Sequence, residues 1–442
     1  MCVGYGVPLD APETSSYTLG PVRQSCVQFT DSELESEPSM AKSSRTLASL
    51  SILAAAALLA TACGSSSGAD DGPGSNPASG DPIKVGYINQ EQAPSGSFPD
   101  LRIAAEAAVE YVNRDGGGVN GRPIELHTCV TNGSPEASQG CANELVRAGV
   151  VVAMAGLDFS GPAAYEVLNA AGIPYISSNP IQGTDYNGEN VFAFVGSSAG
   201  QYAAQAAFLA RDGVKSVSVV VNDTPAGQQG ANLFKTALTK NGITDVTVVP
   251  ESPTATDFTS VVTAATRNNP DALSVLFVAP TCGQIMQAAR SLGYEGKLAF
   301  SSGCLDPNVL ASAGNAAEGA YFAQELLTPA VHRDDPQVQL YLDALDRYAG
   351  IGLEEAGGRS PVGFSSVMTL AAFLAKAGDN PTTATVSSAL RSADGVEGFM
   401  DSPVVCDGTA LAGFSTICNA TVRMVTVDDG KQVEASDGWI VP

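Results

Sequence analysis

The 442-residue chain contains two histidines, His127 and His332, and only 22 Lys and Arg against 46 Asp and Glu. So little imidazole leaves almost nothing from which to build a Ser–His–Asp triad or a histidine-based zinc site. His127 falls inside an apolar run and His332 in a Pro/Asp-rich loop, so one packed and one solvated histidine are expected and neither is placed as a general base. A formal charge of −24 sets the chain against nucleic acid and anionic membrane surfaces, which it would have to approach against repulsion. No G-x-x-x-x-G-K-[ST] phosphate loop is present. The cysteines show no C-x-x-C spacing and read as disulfides before metal ligands, so neither metal nor cofactor is expected. At 15% charged residues and 46 Gly the chain is neither a coiled coil nor a disordered segment, and 44% hydrophobic residues can supply the cores of two domains.

Two motif-like stretches lose their chemistry in context. Gly116–Gly117–Gly118–Val119–Asn120–Gly121 matches G-x-G-x-x-G, but it leaves a helix and enters a strand, the reverse of a dinucleotide fingerprint, and reads as a helix stop. Asp185, Asn187 and Glu189 alternate like calcium ligands, yet no later bidentate Glu follows, and an ordinary turn is expected.

Residues 1–39 carry much Ser, Glu and Pro and no period; they read as an upstream extension, with translation expected to begin at Met40. Lys42 and Arg45 then precede an apolar run over 47–60 that ends on Thr61–Ala62–Cys63. A basic flank, an apolar stretch too short to span comfortably and a small-residue cleavage site make residues 40–62 a signal peptide resembling that of bacterial lipoproteins, with Cys63 as the lipidated residue. A short transmembrane anchor is the other reading. Either puts the body outside the cytoplasm, on the outer face of the cell membrane, with residues 63–81 as a flexible tether. Cys2, Cys26 and Cys63 aside, the cysteines fall as three local couples, Cys129/Cys141, Cys282/Cys304 and Cys406/Cys418, as an oxidising compartment permits. Six cysteines allow fifteen pairings, and free thiols stay open as the alternative.

The body alternates strand and helix. An apolar run at 83–89, a helical period from Leu101 through Ile103, Ala104, Ala107, Ala108 and Tyr111, and a strand at 124–129 form a βαβ unit of a parallel sheet. The alternation continues to about residue 197 and starts afresh from 200, so two doubly wound lobes are expected. The segments 403–406, 416–427 and 432–439 read as C-terminal antiparallel strands, with Asp429–Gly430 as a hairpin turn.

The words IKVGYIN, AAEAAVEYVNRDGGGVNGRPIEL and ASQGCANELV, above all the N-x-x-GG-x-x-G-R turn over 113–123, resemble the type I periplasmic solute-binding proteins of the leucine/isoleucine/valine-binding group. The likeness runs from about Pro82 almost to the C-terminus. It implies an α/β fold of two parallel-sheet lobes joined by three hinge crossings: lobe 1 over 82–197 and 327–398, lobe 2 over 198–326 and 399–442. The crossings are expected at 196–199, 326–329 and 398–403. It also implies a monomer, no enzymatic activity, a small-molecule ligand held between the lobes, and delivery of that ligand to an ABC-type membrane permease.

Ligands of doubly wound lobes sit at the carboxyl ends of strands, which selects the loops 90–97, 157–161 and 177–184 in one lobe and 223–227, 280–283 and 302–306 in the other. By resemblance, Ser160 with Gly161 occupies the place that holds an amino-acid carboxylate. Ser178 and Asn179 match the next loop, where Ile181 stands for a threonine; Ala226 replaces a tyrosine; and Thr281, Ser302 and Gly303 line the opposite lobe, with Asp306 only near the place of an acid. These departures argue against a branched-chain amino acid and for a polar or aromatic-acid ligand. Each residue could equally serve turn chemistry. An exported enzyme using Ser160 or a cysteine, and a sensor docking on a membrane signalling partner, are the alternatives.

Overall fold

In the computed structural model, residues 76–93, 96–252, 254–276, 281–353 and 355–442 are described, with backbone alone at 225 and 226; the signal peptide, Cys63 and most of the tether lie outside them. The first lobe opens with β1 (Ile83–Gln90), α1 (Pro99–Arg114), β2 (Ile124–Thr131), α2 (Pro135–Ala148) and β3 (Val152–Ala155). It continues with α3 (Gly161–Ala170), β4 (Tyr175–Ser177), a short α4 (Gly183–Asn187) and β5 (Val191–Phe192). Its five strands pair in parallel in the order β2-β1-β3-β4-β5. Successive residues of β1 serve opposite faces, as a period of two requires: Tyr87 joins Ala104, Ala108, Phe364 and Phe373, whereas Ile88 joins Leu145, Ala153 and Leu168. Both faces are therefore covered, which is why these strands read as continuous apolar runs.

The second lobe follows through α5 (Ser197–Arg211), β6 (Ser216–Asn222), α6 (Pro225–Lys240), β7 (Asp245–Glu251), α7 (Thr259–Thr266) and β8 (Ala272–Leu276). Then come α8 (Thr281–Ser291), β9 (Lys297–Phe300), α9 (Pro307–Ala313) and β10 (Ala320–Gln324). The chain returns to the first lobe as α10 (Pro336–Ala349), α11 (Ser360–Lys376) and α12 (Thr383–Leu390), and closes the second sheet with β11 (Arg423–Asp428) and β12 (Lys431–Glu434). That sheet runs β12-β11-β10-β9-β8-β6-β7, parallel except for the two C-terminal pairings. Asp429 and Gly430 both have positive φ, the pair a tight primed hairpin turn needs.

Several expected details move. The strand expected over 190–195 is only two residues long; Ala193 instead bridges to Ile417 in parallel. Segment 403–406 is no strand, since Val404 makes one isolated bridge to Val396. Phe399, Met400, Val404, Cys406 and Cys418 pack in the first lobe's core, so 399–418 belongs there and the third crossing falls at about 419–421 rather than 398–403. Asp185 and Asp306 are helix caps: Asp185 Oδ2 accepts from the Ile181 and Gln182 N–H groups at 2.9 Å each, and Asp306 Oδ1 from Asn308 N–H at 2.8 Å. His332 is not simply solvated; its Nε2 lies 2.8 Å from Glu434 Oε2. The three cysteine couples form disulfides as paired by proximity: Cys129–Cys141, Cys282–Cys304 and Cys406–Cys418.

Candidate functional site

The described residues belong to one compact unit, and loops that follow strands of both sheets, with Asn179 after β4, Ser302 after β9 and Glu325 after β10, border one region. The second crossing, residues 326–329, borders that region, and the chain crossings are tied to one another. Leu327 N–H donates to Met400 O at 2.7 Å, joining the second crossing to the turn before the third. Gly196 and Ala420 make the closest approach: a Cβ on Gly196 would lie 3.1 Å from Ala420 Cα and 2.8 Å from Gly200 Cα, so only glycine fits.

On the first lobe's side, two fully buried amides at the end of β1 hold the loops. Asn89 Nδ2 donates to Phe98 O at 2.7 Å while its Oδ1 accepts from Leu157 N–H at 3.1 Å. Gln90 Nε2 donates to Gly96 O at 2.9 Å, and Phe159 N–H donates to Gln90 Oε1 at 3.2 Å. Phe98 and Phe159 meet edge to face at 5.9 Å, and the Arg359 guanidinium lies 5.1 Å from the centroid of Phe98.

On the second lobe's side, the Cys282–Cys304 bridge ties the first turn of α8 to the loop after β9, where Ser302, Gly303 and Cys304 form a 3₁₀ turn. Gln201 of α5 clamps that turn, donating from Nε2 to Ser302 Oγ at 2.9 Å and accepting at Oε1 from Ser302 N–H at 3.0 Å.

Next to these groups lies a cavity of about 50 Å³, bordered by Asn179, Ser302, Gly303, Glu325, Arg359 and Val362 among others. Its two charged side chains are unusual. Arg359 is the N-cap of α11, where a cation opposes the helix dipole, and its guanidinium makes no hydrogen bond or ion pair among the described residues. Burial pulls its pKa down, against the opposing charges of Asp100 and Glu325. Glu325 follows β10, is 7% exposed, and its Oε1 has no hydrogen-bond partner. Burial pushes the Glu325 carboxyl up to about 7, although Gln201, Arg359, the Ser197 N–H and Ser302 favour its charged form. Burial likewise raises Asp100, and raises Asp401 strongly, with Glu325 adding repulsion to the latter. A free guanidinium beside the start of α11 makes an anion site; the unpaired carboxyl oxygen beside it can accept a hydrogen or, protonated, donate one.

Of the residues selected from sequence, Asn179, Ser302 and Gly303 border this cavity. Ser160 and Gly161 do not: Ser160 Oγ donates to Gly133 O at 2.7 Å, a loop contact, and neither histidine bonds to it. Ser178 is fully buried with an unpaired Oγ. Thr281 opens α8 away from the cavity border, and the Ala226 side chain lies outside the described set. Arg359, Glu325 and Gln201 were not selected. The signal for Arg359 was present: an arginine in Gly357–Gly358–Arg359–Ser360–Pro361, at a helix start, carries the wrong sign for a cap. Glu325 had only its place at the end of an apolar strand.

A model of the family described as periplasmic binding protein matches residues 82–431. A Leu/Ile/Val-binding protein homologue of Brucella melitensis biotype 1 is 29% identical over 188 residues, 41% of this chain and 50% of the relative, so the match spans half of that protein's length. Among solved structures, the branched-chain amino acid binding protein LivJ of Streptococcus pneumoniae in complex with isoleucine superposes with a TM-score of 0.65 at 19% identity, covering 81% of this chain and 99% of that one. A solute-binding protein of an ABC transporter from Rhodopseudomonas palustris BisB5, in complex with 3,4-dihydroxybenzoic acid, gives 0.65 at 20% identity, covering 82% and 98%. At such identities the superpositions establish the fold, two parallel-sheet lobes with an antiparallel C-terminal edge, while the match over 82–431 establishes descent: this chain belongs to the periplasmic binding protein family.

Proposed function

We propose that this protein is an extracytoplasmic solute receptor, held at the membrane by a lipid on Cys63, that captures a small carboxylate-bearing molecule between its lobes and hands it to an ABC-type permease. The observation that carries the reading is the interlobe cavity, where the free Arg359 guanidinium meets Asn179 from one lobe and Ser302 and Gly303 from the other. A clamp needs ligand contacts on both lobes, because only differential affinity for the closed arrangement shifts the equilibrium toward it. The relatives bind isoleucine and 3,4-dihydroxybenzoic acid, both carboxylates, and Phe98 against Arg359, with Phe159 edge-on to Phe98, favours the aromatic-acid side of that range.

Native mass spectrometry of protein purified from its own host, followed by calorimetry with the ligand found, tests this. We expect a carboxylate, a smaller radius of gyration on binding, and for Arg359→Ala a loss of affinity of about a hundredfold, the loss of a charge-assisted bidentate contact worth about 2–3 kcal/mol. Saturated binding with no contraction, or full affinity without Arg359, refutes the clamp. Processing is tested separately: Cys63→Ser should release the body or leave an unprocessed precursor.

A further inference from the structure

We propose that Glu325 is the proton-linked member of this site: it carries a proton when an anionic ligand occupies the cavity and donates its O–H to that ligand, so binding takes up a proton from solvent. The inference rests on the interlobe cavity being the ligand site and concerns how that site balances charge.

Four features place the proton there. Glu325 is 7% exposed, borders the same cavity as Arg359, and presents an oxygen that no described group satisfies. The groups facing it are Arg359 from the start of α11, Asp401 from the turn before the third crossing, and Tyr186 from α4, with Asp100 of α1 drawing on the same arginine. One guanidinium therefore already answers to more than one carboxyl. A ligand carboxylate docking on Arg359 and the positive end of α11 adds another negative charge beside a carboxyl that is itself buried. Protonating Glu325 removes one charge and turns an unsatisfied acceptor into a donor for the incoming anion. The only bond made is O–H on Glu325, its proton supplied by buffer. Burial raises this carboxyl to about 7 before any ligand arrives, so an approaching anion moves it further in the same direction.

The sign follows by linkage. Uptake of one proton makes affinity for an anion fall as pH rises above about 7, by up to about tenfold per pH unit, and leaves it flat below. A zwitterion that put its ammonium on Glu325 would do the opposite, releasing a proton on binding.

The experiment is calorimetry of the intact body with benzoate, which stays a monoanion throughout this range, and with isoleucine, each in phosphate and in Tris, from pH 6 to 9. Benzoate should bind with proton uptake and weaken above neutrality. Glu325→Gln, which mimics the protonated acid, should bind benzoate at pH 8.5 at least as tightly as the parent and show no slope. A ligand-free measurement accompanies it: the melting temperature of the parent should fall relative to Glu325→Gln as pH rises from about 5 to 8, because the unfolded chain ionises near 4.5 and the folded one near 7. Proton release, a pH profile shared by parent and variant, or parallel melting curves would each overturn the assignment. Binding of isoleucine alone, with release and lobe contraction, overturns it while the solute-receptor reading stands; failure of every carboxylate together with recovery of no ligand from the host sinks both.

Discussion

The two lips of the cleft are built on different principles. Among the described residues no disulfide reaches the first lobe's loops that carry Phe98 and Phe159; Asn89 and Gln90, fully buried at the end of β1, hold them through hydrogen bonds to the backbone. The second lobe's lip is small and polar, and a disulfide pins it. Large side chains that must present a face need their backbone fixed from beneath, and buried amides can do that while satisfying backbone groups that would otherwise be orphaned. A 3₁₀ turn of Ser302, Gly303 and Cys304 has no bulk with which to anchor itself, so a cross-link and the Gln201 clamp take that part. Aromatic and cationic side chains, Arg359 included, thus gather on the first lobe's side, and small polar ones on the second's.

The largest expected effect comes from cutting the staple. Replacing Cys282 and Cys304 by alanine opens a loop with a sequence separation of 22 residues, which chain entropy values at about 3 kcal/mol. Chemical denaturation of the double variant should show the second lobe losing about that much, with ligand affinity changed far less than by Arg359→Ala, because Gln201 still holds Ser302. If the variant keeps its stability but loses its ligand, the bridge shapes the site rather than the fold and the contrast between the lips disappears.

A smaller effect is expected from filling the space between them. Gly303 has no heavy atom within 4 Å of where its Cβ would stand, and its φ is not positive, so a side chain can leave the backbone there without a clash at Cβ. Gly303→Leu should therefore leave the melting temperature unchanged and weaken the ligand by about tenfold or more, through bulk placed where the lobes must meet. Unchanged affinity would place the ligand on the first lobe alone.

How much of this was legible follows the same division. Both lobes were visible because buried parallel strands are written as apolar runs and their helices as a 3.6-residue period; the disulfide couples and the Asp429–Gly430 turn were visible because their chemistry is local. The third crossing was not. Residues 399–418 carry their apolar positions in irregular clusters that show no period, and they join the first lobe through scattered contacts such as Val404 with Val396 and Ile417 with Ala193, which no local pattern records. Asn179, Ser302 and Gly303 could be found because strand-end loops are where such folds bind ligands. Glu325 follows β10, the last parallel strand of the second lobe, and Arg359 opens α11, which reaches the cleft only once the chain has crossed twice. Ser160 shows the converse: a serine at the expected loop whose hydroxyl is occupied by Gly133 O.

The smallest effect probes how Arg359 is aimed. Its guanidinium stands 5.1 Å from the Phe98 ring centroid, that ring meets Phe159 edge to face, and the Asp100 carboxylate attracts it from behind. A cation over an aromatic face at a partly desolvated site is worth about 0.5–2 kcal/mol. Phe98→Leu keeps most of the apolar volume and the backbone carbonyl that Asn89 holds, but removes the ring quadrupole, so the guanidinium is left with the attraction of the Asp100 and Glu325 carboxyls. Affinity for benzoate should drop by about threefold, and pairing this change with Phe159→Leu should add little, since Phe159 reaches Arg359 only through Phe98. Asp100→Asn supplies the contrast: if it weakens binding more than Phe98→Leu does, charge rather than the aromatic face orients the arginine. Equal affinity in Phe98→Leu and the parent would show that the first lobe's lip positions its cation without the ring, and the aromatic half of the comparison between the two lips would then have to be given up.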